Sequence, residues 1–461
     1  MLNWQIASLL LSIAAALNVG DGIGKWRGSN YSTRLTDDWV KGVFQQKVDH
    51  FNMSSGYFEQ AFYLNREFYD TAQQIAILYL GDFADYPDNC PAGMKAVAEA
   101  NKFAIVILEH RYSGSSFPTS DVSAPKLKQL LTIHQTVEDC PTILPHRKEH
   151  LNAPNLKIIL FGDSYPGALA AWVRQKHPAQ FVGAVSSSSA FDVQLALEKY
   201  STIEADDLSN KNLGGSEACL EKVVKAHKTF GDWLGSADKG RQLERKFKLC
   251  KNQLEARSNQ IALYSSQIES WSDRLLGIFV QENDPECKEV YCNIERVCKR
   301  LGETEDPLDA VASVYLVNNP VPAGACRLVE WPFLMKRLTD PHNKSGERMR
   351  EFVYCRGFAQ RQPCTEKNNC PWLRTDDVLK QAITACEAFD ISEEKLKKYV
   401  AEVQTEYGGK ELSGATNILS INGGADPWIS ASITEDKVGV RALVGGRRIY
   451  IPGYQGVDKN H

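Results

Sequence analysis

The sequence predicts an α/β fold, a mostly parallel sheet with helices on both faces, interrupted by a helical, cysteine-rich insertion. Three observations carry this. Short apolar runs rich in β-branched residues recur at Ile75 to Leu80, Phe103 to Leu108, Leu156 to Phe161 and Phe181 to Ser186. Helix-like segments separate them, as at Gly93 to Asn101 and Gly167 to Lys176, and such alternation is the mark of a parallel sheet. From about residue 195 to 400 the periodicity becomes helical, with Cys219, Leu220, Val223, Val224 and His227 on one face, and ten of the twelve cysteines fall there.

Taken in order, residues 1–20 read as a signal peptide, because Gln5 to Leu17 form an apolar stretch too short to span a bilayer, followed by small residues. Residues 21–194 form the first part of the α/β domain and 195–400 the insertion. Residues 401–461 complete the domain, with strand patterns at Asn417 to Ile421 and Arg448 to Ile451. An insertion so placed sits over the C-terminal edge of the sheet, where open α/β sheets bind ligands. The cysteines lack paired C-x-x-C spacing, so disulfides are expected rather than zinc. Sequons at Asn30, Asn52 and Asn343 agree with a secreted or lysosomal glycoprotein. No other segment has the length of a membrane span. A net charge of -4 gives no reason to expect nucleic acid.

The densest chemistry lies in Lys157 to Trp172, where an apolar run enters a tight turn with one serine and leaves as a small-residue helix. That is the layout of a nucleophile elbow, which exposes a serine hydroxyl above the sheet. Ser164 is the candidate nucleophile, and a helix-capping serine is the plainer alternative. The Tyr165 N–H is one candidate oxyanion donor, and the loop Gly81-Asp82-Phe83 is expected to supply the second. Asp426, in a glycine-rich loop after a late strand, is the candidate acid that would orient a base. Standing alone, Asp426-Pro427 is also a common turn initiator.

These residues resemble the lysosomal prolyl carboxypeptidase and dipeptidyl peptidase II family of serine peptidases. Four ordered segments carry the likeness: Gln46 to Asn52, Leu108 to Pro118 (LEHRYSGSSFP), Gly162 to Trp172 (GDSYPGALAAW) and Asn422 to Trp428 (NGGADPW). The resemblance implies an α/β-hydrolase fold with a helical, disulfide-rich cap, and proline-directed exopeptidase chemistry on peptides. It implies no cofactor and no metal, and it makes a homodimer an expectation. Ser164 would be the nucleophile and Asp426 the acid, while His50, Glu109, His110 and Arg111 would be buried structural groups.

The chain departs from the family where the base belongs. The family places histidine in a segment like G-x-x-H-x-D, and here the equivalent is Gly453 to Asp458, with Gly456 at the histidine position. Loss of the histidine from such a triad removes about 10⁶ in kcat. Pro166 replaces a glycine and is expected to disturb the elbow. Asp163 puts a carboxylate beside the serine, and Asp82-Phe83-Ala84 replaces a glycine-rich oxyanion segment. His461 and the scattered His134, His146, His150, His177, His227 and His342 have no positional claim to the role. Two readings stay open: a serine exopeptidase homologue that is impaired or inactive, and a non-catalytic pseudoenzyme that binds peptides or a protein partner. A lipase or esterase on the same fold is weaker, since the other motifs belong to the peptidases.

Overall fold

Two strands that the apolar-run pattern does not reveal open the sheet, β1 (Trp39–Lys47) and β2 (Tyr57–Asn65), an antiparallel hairpin. β1 is largely exposed, and β2, though mostly buried, carries Glu59, Gln60 and Asn65 among its apolar residues, so neither shows the β-branched apolar run of the central strands. The computed structural model describes residues 39–83, 92–234, 236–254, 283, 293–318, 320–327, 331–365, 369–372 and 377–445. The remaining strands are β3 (Ile75–Leu80), β4 (Ala104–Leu108), β5 (Lys157–Asp163), β6 (Gly183–Ser187), β7 (Ile418–Gly423) and β8 (Val440–Gly445). The order across the sheet is β1-β2-β4-β3-β5-β6-β7-β8, with β2 antiparallel to β1 and β4 and all later pairings parallel.

The central strands are apolar at consecutive positions because both their faces are covered. Ala76, Leu78, Val106, Ile158 and Leu160 point into one core, and Ile77, Tyr79, Ile105, Ile107, Ile159 and Phe161 into another. The helices before the cap are α1 (Ala92–Asn101), α2 (Ala124–Leu130), α3 (Ile133–Thr142), α4 (Leu144–His150) and α5 (Tyr165–Lys176). Met94, Val97 and Ala98 of α1 pack on the second face, while α3 and α5 pack on the first.

Between β6 and β7 the described chain is helical. It runs through α6 (Tyr200–Ser209), α7 (Glu217–Trp233), α8 (Ala237–Lys246), α9 (Ile294–Gly302), α10 (Pro307–Asn318), α11 (Trp331–Thr339), α12 (Gly346–Val353), α13 (Asp377–Glu387) and α14 (Glu393–Tyr407). The helices α6 to α10 enclose their own core, which includes Leu208, Val223, Phe230, Leu243, Val297, Val311 and Tyr315. Ala425, beside the candidate acid, belongs to that core and ties the β7 loop to the cap. This is the α/β-hydrolase arrangement with a cap.

Disulfides Cys219–Cys298, Cys250–Cys326, Cys355–Cys386 and Cys364–Cys370 brace the inserted helices. Not every cysteine is oxidised, however. Cys140 is a free, buried thiol on α3 that donates to the Thr136 carbonyl at 3.5 Å. Burial pushes its pKa well up, so it behaves as a small apolar residue. The expected strand at Arg448 to Ile451 lies outside the described residues, and β8 precedes it. The expected signal peptide, Asn30, Cys90, Cys287, Cys292, Gly456 and His461 also lie outside them.

The four-residue run Glu109-His110-Arg111-Tyr112 ties the sheet to α3 and the N-terminal hairpin. Arg111, fully buried, grips Asp139 through Nε (2.7 Å) and Nη2 (2.6 Å) and donates to the Leu130 carbonyl at 2.7 Å. His50 Nε2 reaches the same carboxylate at 2.8 Å. Burial acts to raise the Asp139 pKa, but Arg111 and His50 outweigh it and hold the carboxyl below its usual value. Glu109 closes the following loop on itself, accepting from Ser115 N–H (2.9 Å) and Ser116 Oγ (2.6 Å). Gly114 lets it do so, since a Cβ there would lie 2.1 Å from Glu109 Oε1. These groups therefore have the structural role expected of them.

Replacing Arg111 by methionine should lower the unfolding free energy by about 3–5 kcal/mol, because it strands a buried carboxylate. Arg111→Met combined with Asp139→Leu should recover part of that loss, as read by urea denaturation.

Candidate active site

The strand β5 ends at Asp163, and the chain must reverse into α5 within one residue. Ser164 makes the turn with φ 61° and ψ −125°, a conformation disfavoured for any residue with a Cβ. Glycines make room for it. A Cβ on Gly162 would lie 2.1 Å from the Pro166 carbonyl oxygen, and one on Gly167 would lie 2.1 Å from Ser189 Oγ. The Ser164 N–H donates to the Ser187 carbonyl of β6 at 2.8 Å, which fixes the turn to the sheet.

The serine hydroxyl makes no capping bond to the helix it precedes. Gly167 and Ala168 N–H groups both donate to the Ser164 carbonyl, each at 3.1 Å. Pro166 has no N–H, and it sits in the first helical turn where none is required. The expected disturbance by Pro166 is therefore absent: α5 begins at Tyr165 and the turn keeps its form. Among the described residues nothing accepts from the Tyr165 N–H, which lies at the positive end of α5.

The Tyr165 ring is held from both sides. His110 Nε2 lies 3.2 Å from its hydroxyl and 3.3 Å from Thr136 Oγ1. His110 Nδ1 donates to the Arg111 carbonyl at 2.6 Å, so the neutral ring accepts at Nε2. Burial lowers the His110 pKa to about 4. On the cap side the Phe358 ring meets Tyr165 edge-on at 5.0 Å.

The loop after β3 differs from expectation in one respect. Gly81 N–H donates to the Leu108 carbonyl at 3.0 Å and is committed to the sheet ladder, so Gly81 is not an open oxyanion donor. The cap contacts this loop through α12. Arg350 lies 3.6 Å from the Asp82 carboxylate, and Gly346 packs so closely that a Cβ would be 2.3 Å from the Phe83 carbonyl oxygen. Phe83 in turn packs on His110 at 4.6 Å. Asp163 is half-buried at the end of β5.

Asp426 lies at the same edge of the sheet, with only β6 between its strand and that of Ser164. Ser188 N–H donates to the Ile421 carbonyl at 2.7 Å, continuing the ladder from the elbow toward the acid loop. Asp426 is buried, and its Oδ1 accepts from Trp428 N–H at 3.1 Å, so it also caps the short turn Pro427–Ala431. Among the described residues no histidine bonds to Ser164. His134 pairs with Glu406, His177 with Glu138, and His227 packs on Trp372.

One neighbour of the acid was not singled out from the sequence. Asp207 of α6 is buried, and among the described residues its Oδ2 has no hydrogen-bond partner. Burial, the adjacent Asp206 and the Asp426 carboxylate push its pKa up to about 7. Its only signal in the sequence is the pair Asp206-Asp207 in a helical segment. Of the sequons, Asn52 is exposed at the β1–β2 turn, whereas the Asn343 amide donates to the Arg337 carbonyl at 2.8 Å.

Residues 46–442 match the family model described as serine carboxypeptidase S28. The human lysosomal Pro-X carboxypeptidase is 26% identical over 428 residues, covering 85% of this chain and 78% of that protein. The mouse thymus-specific serine protease is 25% identical over 410 residues, covering 86% and 78%. Among solved structures, an acylaminoacyl peptidase from Pyrococcus horikoshii superposes with a TM-score of 0.25 and 12% identity, over 36% of this chain and 25% of that one.

Ser164→Gly should raise the unfolding free energy by about 1 kcal/mol, the relief of strain exceeding the entropy glycine adds. Loss of stability in that variant would mean that the serine makes contacts outweighing the strain. Asp207 carries the opposite kind of test. Its folded pKa stands above the unfolded value of 3.8, so the stability it contributes is complete at pH below 4 and is lost as pH rises through 7. Asp207→Asn should therefore match the parent near pH 4 and exceed it at pH 8 by on the order of 2–4 kcal/mol in chemical denaturation.

Proposed function

Because the chain belongs to the serine carboxypeptidase S28 family, we propose that it is a proline-directed exopeptidase homologue with strongly reduced hydrolysis. The single observation that carries the reading is the Ser164 elbow, strained, uncapped and followed by a Tyr165 N–H that nothing among the described residues engages, in a chain with Gly456 at the family's base position. In the family's chemistry Ser164 Oγ attacks a peptide carbonyl while a histidine takes its proton, and the N–H of Tyr165 stabilises the oxyanion. Asp426 would orient that histidine. Glycine accepts no proton, so the serine stays a weak nucleophile, while the Tyr165 N–H is left to bind a peptide carbonyl. Peptide binding without rapid turnover is the activity this leaves.

The same family and the four disulfides support the secretory pathway, with a lysosomal or extracellular destination and glycans at Asn30 and exposed Asn52. Asn343 is a poorer acceptor in the folded chain because its amide is engaged. A homodimer is the assembly we expect.

The test is fluorophosphonate labelling from pH 5 to 8 with Ser164→Ala as control, beside release of proline-containing peptides. Gly456→His should raise the labelling rate by about 10³-fold or more if the base alone is missing. Equal and rapid labelling of parent and variant would sink the impaired reading and show that another group supplies the base. No labelling in either would leave the non-catalytic peptide binder.

A further inference from the structure

The cap contains a strained turn whose last side chain, Phe358, rests on Tyr165 of the elbow. After α12, residues Tyr354–Phe358 form a single turn of π-helix closed by the Ala359 N–H to the Tyr354 carbonyl (2.9 Å). Gly357 takes φ 125°, and two residues with side chains follow at positive φ, Ala359 (47°) and Gln360 (68°). Such geometry persists only where its surroundings over-determine it, and π-turns collect at functional sites. The surroundings here are explicit. The Cys355–Cys386 disulfide pins the turn to α13, and Gly357 is pressed so near α14 that a Cβ would lie 2.7 Å from the Tyr399 carbonyl oxygen. Gln360 N–H donates to Gln194 O (2.8 Å), its Nε2 to Ala190 O (3.2 Å), and Arg361 N–H to Leu195 O (3.1 Å), all on the loop after β6.

A regular helical continuation would serve packing alone, without the strain. What the irregular turn adds is the placement of Phe358, which is buried, stacks on Tyr354 at 6.1 Å and meets Trp172 at 6.3 Å and Tyr165 at 5.0 Å. Tyr165 is thereby held between His110 on the sheet side and Phe358 on the cap side. With the ring held, the Tyr165 Cα is held as well, and it borders the Ser164–Tyr165 peptide that carries the N–H read as the oxyanion donor.

We propose that Phe358 is a positioning residue of the active site, through which the cap sets the orientation of the Ser164–Tyr165 peptide. The proposal deepens, and rests on, the reading of Ser164 as the nucleophile and Tyr165 N–H as the oxyanion donor. It differs from core packing in what it governs: loss of Phe358 should slow the chemical step more than it unfolds the protein.

The experiment compares Phe358→Leu with Phe352→Leu, a fully buried core residue of α12 packed on Phe389. It is run in the full chain carrying Gly456→His, so that labelling is measurable. Phe358→Leu should lower the fluorophosphonate labelling rate by about 10–100-fold, with inhibitor affinity unchanged, after normalising to the folded fraction. Phe352→Leu should lower the melting temperature without a comparable loss of rate. Equal normalised rates in the two variants would overturn the proposal. If the unsubstituted-phenylalanine chain is not labelled at all, the nucleophile reading fails by itself. Hydrogen exchange at the Ser164, Gly167 and Ala168 amides then decides: faster in Phe358→Leu supports positioning, and no difference from Phe352→Leu refutes it. Phe358→Met replaces the leucine variant should that not fold.

Discussion

The buried pair of Arg111 and Asp139 is the constraint on which the site depends. A guanidinium and a carboxylate taken out of water are stable only when every remaining donor and lone pair is used, and here they are used on separate elements. Arg111 spends its donors on α3 through Asp139, on α2 through the Leu130 carbonyl, and reaches the β1–β2 hairpin through the Val48 and Lys47 carbonyls at 3.4 Å. His50 brings the hairpin turn to the same carboxylate. The residue immediately before this anchor is His110, so the anchor also fixes where the imidazole stands. From there the order passes to the Tyr165 hydroxyl and so to the serine turn. A charge pair just beyond the C-terminal end of β4 is thus linked, through His110 and the Tyr165 hydroxyl, to the serine turn.

The strain at Ser164 is affordable because its neighbours are rigid in several directions. A residue held at such angles costs of order 1–3 kcal/mol, comparable to one good buried contact. Opposing it are the bond to Ser187, the close glycine packing at Gly162 and Gly167, and two rings on Tyr165. Ser188, at φ 45°, repeats the device on the next strand and carries the ladder to β7. The elbow is therefore one part of a strained seam that runs along the C-terminal edge from β5 to the acid loop, with the cap pressing on it from above.

Much of this was legible in the sequence, and the reasons for the gaps are physical. The buried parallel strands announce themselves because both faces need apolar side chains; β1 does not because it is largely exposed, and in β2 the polar Glu59 and Gln60 break the pattern although most of the strand is buried. Ser164 was legible because a serine between a strand and a small-residue helix has few other uses. The Gly81 N–H was misassigned because a sequence does not show where a ladder ends: one more bond to Leu108 removes it from the oxyanion set. Pro166 was over-weighted because its effect depends on position, and the first turn of a helix is the one place it does no harm. Asp207 and Phe358 were invisible for a different reason. Their roles come from contacts between the cap and the sheet, and such contacts join positions separated by long stretches of chain.

Serine-peptidase chemistry has two halves, and on the reading proposed above they separate in this chain. Binding and charge stabilisation reside in the backbone: a strained turn, a helix terminus and an N–H held in place by rings and a buried ion pair. In the family pattern proton transfer resides in one histidine, and Gly456 stands at the position matched to it. The backbone half is expensive to assemble, since it rests on many residues across the sheet and the cap. The side-chain half is a single substitution. A fold that has lost only the cheap half retains a site shaped for a peptide carbonyl, and its affinity for peptides need not fall with its turnover. That asymmetry is why the reading proposed above, with Gly456 at the base position, is a peptidase homologue that keeps its peptide site rather than a scaffold without one.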